Sequence, residues 1–243
     1  MKTKRGIIMG ASSGLGHRIA EILLEKGWLL GVAARREELL IPLKEKYSGQ
    51  VVTGSIDVND AKAGEQLLQL VEQMGGIDLY FHVSGIGKQN LELQQDIEMN
   101  TVETNGTGFT RCITTIFNYM AANGGGQIAA ISSIAGTKGL GAAPSYSATK
   151  AFQNCYLEAL EQQSAMRHLN IRITDIRPGF VATPLLGEQP HYPMLMDTEH
   201  AAEEIVRAVL RRKHVHVLDW RYRILTPLWR LIPRWLWRRL NIS

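Results

Sequence analysis

Short apolar runs alternate with stretches of helical spacing along most of the chain. Residues 5–9, 29–34, 51–56, 77–83, 127–131, 171–176 and 214–218 read as seven strands. Between them, Ile19, Ile22 and Leu23 recur at helical spacing within 18–26, and helices are predicted at about 61–74, 98–122, 145–167 and 198–211. Alternation at such short intervals describes a parallel sheet built from βαβ units. Residues 182–200 fit neither period. They hold Pro184, Pro190 and Pro193 among Leu185, Leu186, Met194, Leu195 and Met196, and read as a loop or lid. There is no internal repeat, low-complexity run or domain linker.

At 243 residues the chain is sized for one large α/β domain. Such a domain buries roughly 70–75% of its unfolded surface, so its core needs neither disulfide nor metal. Cys112 and Cys155, the only cysteines, fall in helix-like stretches, as expected for reduced thiols in a cytoplasmic protein. The basic start, Lys2 to Arg5, leads into an apolar run that Gly10 stops at once, so no signal peptide is expected. Charge is uneven. Residues 220–243 carry six arginines and no acid; removing those six from the formal +4 leaves −2 for residues 1–219. Four of the five tryptophans lie in the same tail.

The junctions between elements carry the candidate chemistry. Gly10-Ala-Ser-Ser-Gly14-Leu-Gly16 turns a buried strand into a helix, where backbone N–H groups and the helix dipole can meet a phosphate. The second strand ends at Arg35-Arg36, where arginine suits the 2′-phosphate of NADP and an acid would suit the 2′-hydroxyl of NAD. A solvated Arg pair facing Glu37 and Glu38 is the competing reading. Tyr146 and Lys150, four apart on a helix, share a face, and a nearby ammonium lowers a phenol's pKa from its usual value near ~10.

In their order along the chain, these motifs resemble the short-chain dehydrogenase/reductase superfamily in its single-domain form. The matching stretches are the glycine-rich turn, Asp57-Val58, Asn105, Ser133, Tyr146-x-x-x-Lys150 and Arg177-Pro-Gly-Phe-Val-Ala-Thr183. The resemblance implies a Rossmann-type doubly wound fold, with a seven-stranded, mainly parallel sheet and helices on both faces, over residues 1–218. It implies NADP(H) as cofactor. Gly10, Ser12, Ser13, Gly14, Leu15 and Gly16 would line its pyrophosphate, Arg35 and Arg36 its 2′-phosphate, and Asp57 and Val58 its adenine. Ser84, Gly85, Pro178, Gly179, Val181 and Thr183 would border the nicotinamide half. Tyr146 would be the acid/base, and Lys150 would bind the nicotinamide ribose and lower the tyrosine pKa. Ser133 would position the substrate oxygen, and Asn105 would hold a water in a proton relay reaching Lys150. One stretch departs from the pattern: His82-Val83-Ser84-Gly85 stands where the family usually has Asn-Asn-Ala-Gly, and a hydrogen-bonded buried histidine is expected there.

Residues 219–243 lie beyond the family's common core. Pro227 and Pro233 are expected to break any long helix, and no charge-free stretch approaches the roughly 20 residues that span a bilayer. Interleaved Trp and Arg suit either a membrane interface or packing on the body or another subunit, and give no indication of nucleic acid. The resulting expectation is an NADPH-dependent carbonyl reductase, reversible as an alcohol dehydrogenase, acting on a hydrophobic ketone or aldehyde such as a 3-oxoacyl, steroid-like or other lipid ketone. A homodimer or homotetramer is expected, as in related enzymes. The alternative is a non-catalytic NADP(H)-binding sensor or scaffold at a membrane surface.

Overall fold

The computed structural model describes residues 3–186 and 192–240. Part of the expected lid, 187–191 with Pro190, and the end of the tail, 241–243, lie outside the described residues. In chain order the elements are β1 (Arg5–Met9), α1 (Gly14–Glu25), β2 (Leu29–Ala34), α2 (Ile41–Lys46), β3 (Val51–Ser55), α3 (Ala63–Gln73), β4 (Leu79–His82), α4 (Gln95–Val102), α5 (Phe109–Ala122) and β5 (Gly126–Ile131). They continue with α6 (Pro144–Met166), β6 (Ile171–Arg177), α7 (Thr198–Leu210), β7 (Val215–Val217), α8 (Trp220–Leu231) and α9 (Arg234–Trp237).

All seven strands join one sheet in the order β3-β2-β1-β4-β5-β6-β7, and every pairing is parallel. A parallel sheet is covered on both faces, which is why β1, β2, β4 and β5 are nearly unbroken apolar runs. On one face α1 and α7 pack Ile19, Leu23, Ile205 and Val209 against Ile8, Leu30 and Val32. On the other, α3, α5 and α6 pack Leu67, Leu70, Ile113, Phe117 and Leu157 against Ile7, Tyr80 and Ile128. The order reverses at β1, whose neighbours are β2 and β4. In a doubly wound sheet this reversal opens a crevice at the carboxyl ends of the strands.

Two elements differ from the sequence expectation. The helix expected at 98–122 begins at Gln95 and contains a π turn, Glu103–Gly108, around Asn105. Such widened turns concentrate at functional sites. In the tail, α8 runs through Pro227, and the helical path breaks only at Pro233. A proline in a helix interior costs a hydrogen bond, and here tertiary anchoring of Tyr222 and Thr226, both buried, holds the helix on the body.

Candidate active site

The glycine-rich turn is shaped by contacts that leave no room for side chains. Gly10 sits at φ +95°, and a Cβ there would stand 2.6 Å from the Ser84 nitrogen; one at Gly16 would stand 2.0 Å from the Gly10 carbonyl oxygen. The end of β1, the start of α1 and the end of β4 are thereby drawn together. Ser13 caps α1 with extended backbone but makes no side-chain capping bond, leaving first-turn N–H groups and its hydroxyl uncommitted. Ser12, Gly14 and Leu15 complete a cradle of backbone donors at the helix's positive end. Thr183 stands over it, its Cβ 3.4 Å from where a Cβ on Gly14 would lie, in a loop fixed by the bridge between buried Val181 and Met196.

Arg35 and Arg36 follow β2, and both are exposed. Among the described residues neither forms an ion pair; Glu37 instead accepts from Thr53 Oγ1 at 2.8 Å. Both arginines are thus solvated, as the competing reading also has them, but neither pairs with Glu37 or Glu38. Asp57, half-buried after β3, accepts from the Asn59 N–H at 3.0 Å, while the Val58 carbonyl accepts from Arg111 Nη1 at 2.6 Å. A cradle without room for side chains and two unpaired guanidinium groups fit a phosphorylated dinucleotide.

Across the crevice, Pro144 opens α6 at a position where proline's missing N–H costs nothing. Tyr146 follows in the first turn and Lys150 one turn later, its Nζ 5.7 Å from the phenol ring centre. The loop after β4 lies on the phenol: a Cβ at Gly87 would be 2.6 Å from Tyr146 Cδ2. Burial pushes the Tyr146 phenol above its ordinary value, and a hydrogen bond with Ser133 pulls the other way. Against the expectation that Lys150 lowers the phenol's pKa, burial prevails. The ammonium is committed elsewhere, donating to the Ile131 carbonyl at 3.0 Å and to Gln153 Oε1 at 2.9 Å. Burial brings Lys150 itself down to about 8, opposed by the Asp175 carboxylate. Ser133 caps a short 3₁₀ turn, accepting from Ala135 N at 3.0 Å and donating to the Pro178 carbonyl at 3.3 Å.

Asn105 clamps the loop after β4. Its Oδ1 accepts from Ile86 N at 2.9 Å and its Nδ2 donates to Ile86 O at 2.6 Å. Gly85 lies beside it, with a hypothetical Cβ 3.2 Å from Asn105 Oδ1 and 3.6 Å from Lys150 Nζ. Gln153 links the two residues expected to share a water relay: its Nε2 donates to the Asn105 carbonyl at 2.9 Å while its Oε1 accepts from Lys150. His82 is buried as expected, with Nδ1 2.9 Å from the Tyr80 hydroxyl; burial, then the nearby Lys150, bring it down to about 3, so it is neutral at physiological pH.

Three contributors escaped the sequence reading. Gln153 sat on a helix with no motif to mark it. Asp175 is buried between Ser132 and Arg177, whose Nε donates at 2.7 Å, and its carboxylate favours the charged form of Lys150. Tyr222 of the tail fills the space a side chain on Gly179 would need, since a Cβ there would be 2.1 Å from Tyr222 Cε2, and its hydroxyl donates to the Pro193 carbonyl at 2.9 Å. The tail therefore ties the loop after β6 to the segment expected to act as a lid. The only available signals were polar residues at inward positions of apolar elements.

A family model described as short chain dehydrogenase matches residues 4–192. An uncharacterized oxidoreductase of Myxococcus xanthus is 30% identical over 241 residues, covering 96% of this chain and 94% of that protein. The glycine betaine reductase ATRR of Emericella nidulans is 34% identical over 232 residues; the match covers 87% of this chain but only 18% of that larger protein. Among solved structures, a short chain dehydrogenase from Burkholderia cenocepacia in complex with NADP superposes with a TM-score of 0.84 at 21% identity, covering 100% of this chain and 99% of that one. An alcohol dehydrogenase from Thermococcus sibiricus complexed with 5-hydroxy-NADP gives 0.77 at 23% identity, covering 89% and 95%.

Proposed function

Since the chain belongs to the short-chain dehydrogenase family and is an oxidoreductase of that type, we propose that it is an NADPH-dependent carbonyl reductase, reversible as an alcohol dehydrogenase. The observation that carries this reading is the placement of Tyr146 between Ser133 and Lys150, at the strand-end crevice that also holds the glycine cradle. The cofactor, when bound, supplies the hydride that reaches the carbonyl carbon. The turn from Gly10 to Gly16 holds the pyrophosphate, Arg35 and Arg36 the 2′-phosphate, and Asp57 and Val58 the adenine. Ser84, Gly85, Pro178, Gly179, Val181 and Thr183 border the nicotinamide half, and Tyr146 and Lys150 meet its ribose. NADP complexes among proteins of the same fold, and the unpaired arginines after β2, support NADP(H) over NAD(H).

Ser133 donates a hydrogen bond to the substrate oxygen as charge develops there. Tyr146 gives that oxygen its proton; its raised pKa keeps it protonated at neutral pH. Lys150, with a pKa near 8 and its charge favoured by Asp175, provides the positive charge that makes the resulting phenolate tolerable. Asn105 fixes the loop that covers the phenol.

The catalytic unit is residues 1–218, with 182–200 as substrate lid and 219–243 as an appended tail. Exposed Leu185 and Leu195 in the lid support a hydrophobic ketone or aldehyde as substrate. Large apolar side chains left exposed on α4 and α6, Met99, Val102 and Phe152, support a homo-oligomer. No helix among the described residues is long and apolar enough to cross a membrane. The tail, with Trp220, Leu231 and Trp235 exposed among arginines, supports peripheral membrane contact by an otherwise cytoplasmic protein. The reading is tested by Tyr146→Phe against a panel of acyl, steroid and aromatic ketones with NADPH. Turnover should drop by about 10²–10⁴-fold with cofactor binding intact; undiminished turnover would sink the reading.

A further inference from the structure

Between β7, α8 and the 3₁₀ turn after Ser133 lies a cavity of about 550 Å³ whose polar lining is basic. Arg177, Lys213, Arg223 and Arg230 face it, with His216. Arg177 is paired with Asp175 at 2.7 Å and Arg223 with Glu204 at 2.6 Å. His216 bridges Glu204 and Lys213 at 2.8 Å and 3.3 Å, and burial, its largest influence, lowers its pKa. Lys213 and Arg230 have no acidic partner among the described residues. Four cations less two carboxylates leave the site with a charge of +2 when His216 is neutral.

Apolar side chains share the lining, and one of them, Leu231, is also exposed on the surface. Ile224, Leu228 and Leu231, spaced by four and three on α8, form an exposed stripe on the helix that roofs the cavity. No acidic residue occurs from 220 onward. A phosphate monoester dianion matches the two uncompensated cations, and the adjoining stripe gives such an anion's acyl chains an apolar surface.

We propose that the cavity beneath α8 binds the phosphate monoester headgroup of an anionic lipid, with the acyl chains running onto the Ile224-Leu228-Leu231 stripe. The proposal rests on the reading that the tail meets a membrane, and gives that contact a headgroup preference set by Lys213 and Arg230. Arg238 and Arg239, outside the cavity, contribute only general attraction to negative surfaces.

The test is vesicle co-sedimentation of the full chain. Phosphatidylcholine vesicles carrying either phosphatidic acid or phosphatidylglycerol are matched in net charge. Lys213→Ala/Arg230→Ala, Arg238→Ala/Arg239→Ala and Leu228→Ser/Leu231→Ser are compared with the wild type, with melting temperature and NADPH binding as folding controls. The expected result is preference for the monoester lipid. The Lys213/Arg230 pair loses about thirtyfold in affinity for it and no longer discriminates, whereas the Arg238/Arg239 pair weakens on both lipids alike. The Leu228/Leu231 pair weakens on both without changing oligomeric state. Three results overturn the inference while leaving the membrane reading standing: unchanged discrimination in the Lys213/Arg230 pair, complete competition by inorganic phosphate at concentrations near the apparent lipid affinity, or a smaller oligomer in the Leu228/Leu231 pair, which would mean that a second copy covers the stripe. Absence of wild-type binding to any vesicle overturns both.

Discussion

Gln153 takes the Lys150 ammonium as donor at 2.9 Å, and through its other amide atom passes the connection on to the Asn105 carbonyl. Both ends of a buried amide are thus used, and the ammonium is aimed by a side chain. Removing the acceptor disfavours the charged lysine, so Gln153→Leu should lower the Lys150 pKa from about 8 and move the alkaline limb of the pH–rate profile to lower pH. Gln153→Glu, which adds negative charge, should move the same limb to higher pH. A purely structural role would lower activity in both variants without opposite shifts.

Lys150 also ties stability to pH. Its folded pKa, about 8, lies below its ordinary value of 10.5, so between those limits the unfolded chain binds more protons than the folded one. Its burial penalty is fully present below about pH 8 and is relieved as pH rises toward 10.5. Lys150→Met should therefore gain most over the wild type below pH 8, with the difference shrinking above it. Denaturant titrations of the two cofactor-free proteins at several pH values measure this.

Cofactor choice is predicted to reside after β2. Arg35→Asp replaces an unpaired guanidinium with a like charge for a 2′-phosphate. NADPH affinity should fall about 10–100-fold, the scale of a charge-assisted hydrogen bond, with NADH affinity little changed. Similar losses for both cofactors, by fluorescence titration, would remove Arg35 as the phosphate reader.

Gly179→Ala drives a Cβ into the Tyr222 ring, and such overpacking costs about 1–3 kcal/mol. The tail should loosen from the loop after β6, seen as a lower melting temperature and a weaker nicotinamide-side contact. Adding Tyr222→Leu, which makes room, should recover part of the loss; no recovery would show that the two positions are not coupled.

Much of this arrangement was legible because a parallel sheet concentrates its chemistry at strand ends. Gly10, Arg35, Asp57, Ser84, Ser133 and Pro178 each follow an apolar run, and the fold brings those run ends to one edge. Gln153, Asp175 and Tyr222 were illegible for a common reason. Each acts through a partner distant in sequence, and no local period announces such a pairing. The balance at Tyr146 was not legible because spacing sets distance along a helix face, whereas burial and competing acceptors depend on the surrounding loops. Pro227 misled because a helix held by tertiary contacts tolerates a break that an isolated one would not.

The contact between Gly179 and Tyr222 also bears on the order in which the protein is made. The cradle, Asn105, Ser133, Tyr146, Lys150 and the loop at Pro178 all leave the ribosome before residue 222 does. Until then the Gly179 backbone faces a gap that the tyrosine will fill. A nascent chain that already carries all of those residues still lacks the tyrosine that packs on Gly179. That contact, and the tie from Tyr222 to Pro193, wait on the tail's arrival.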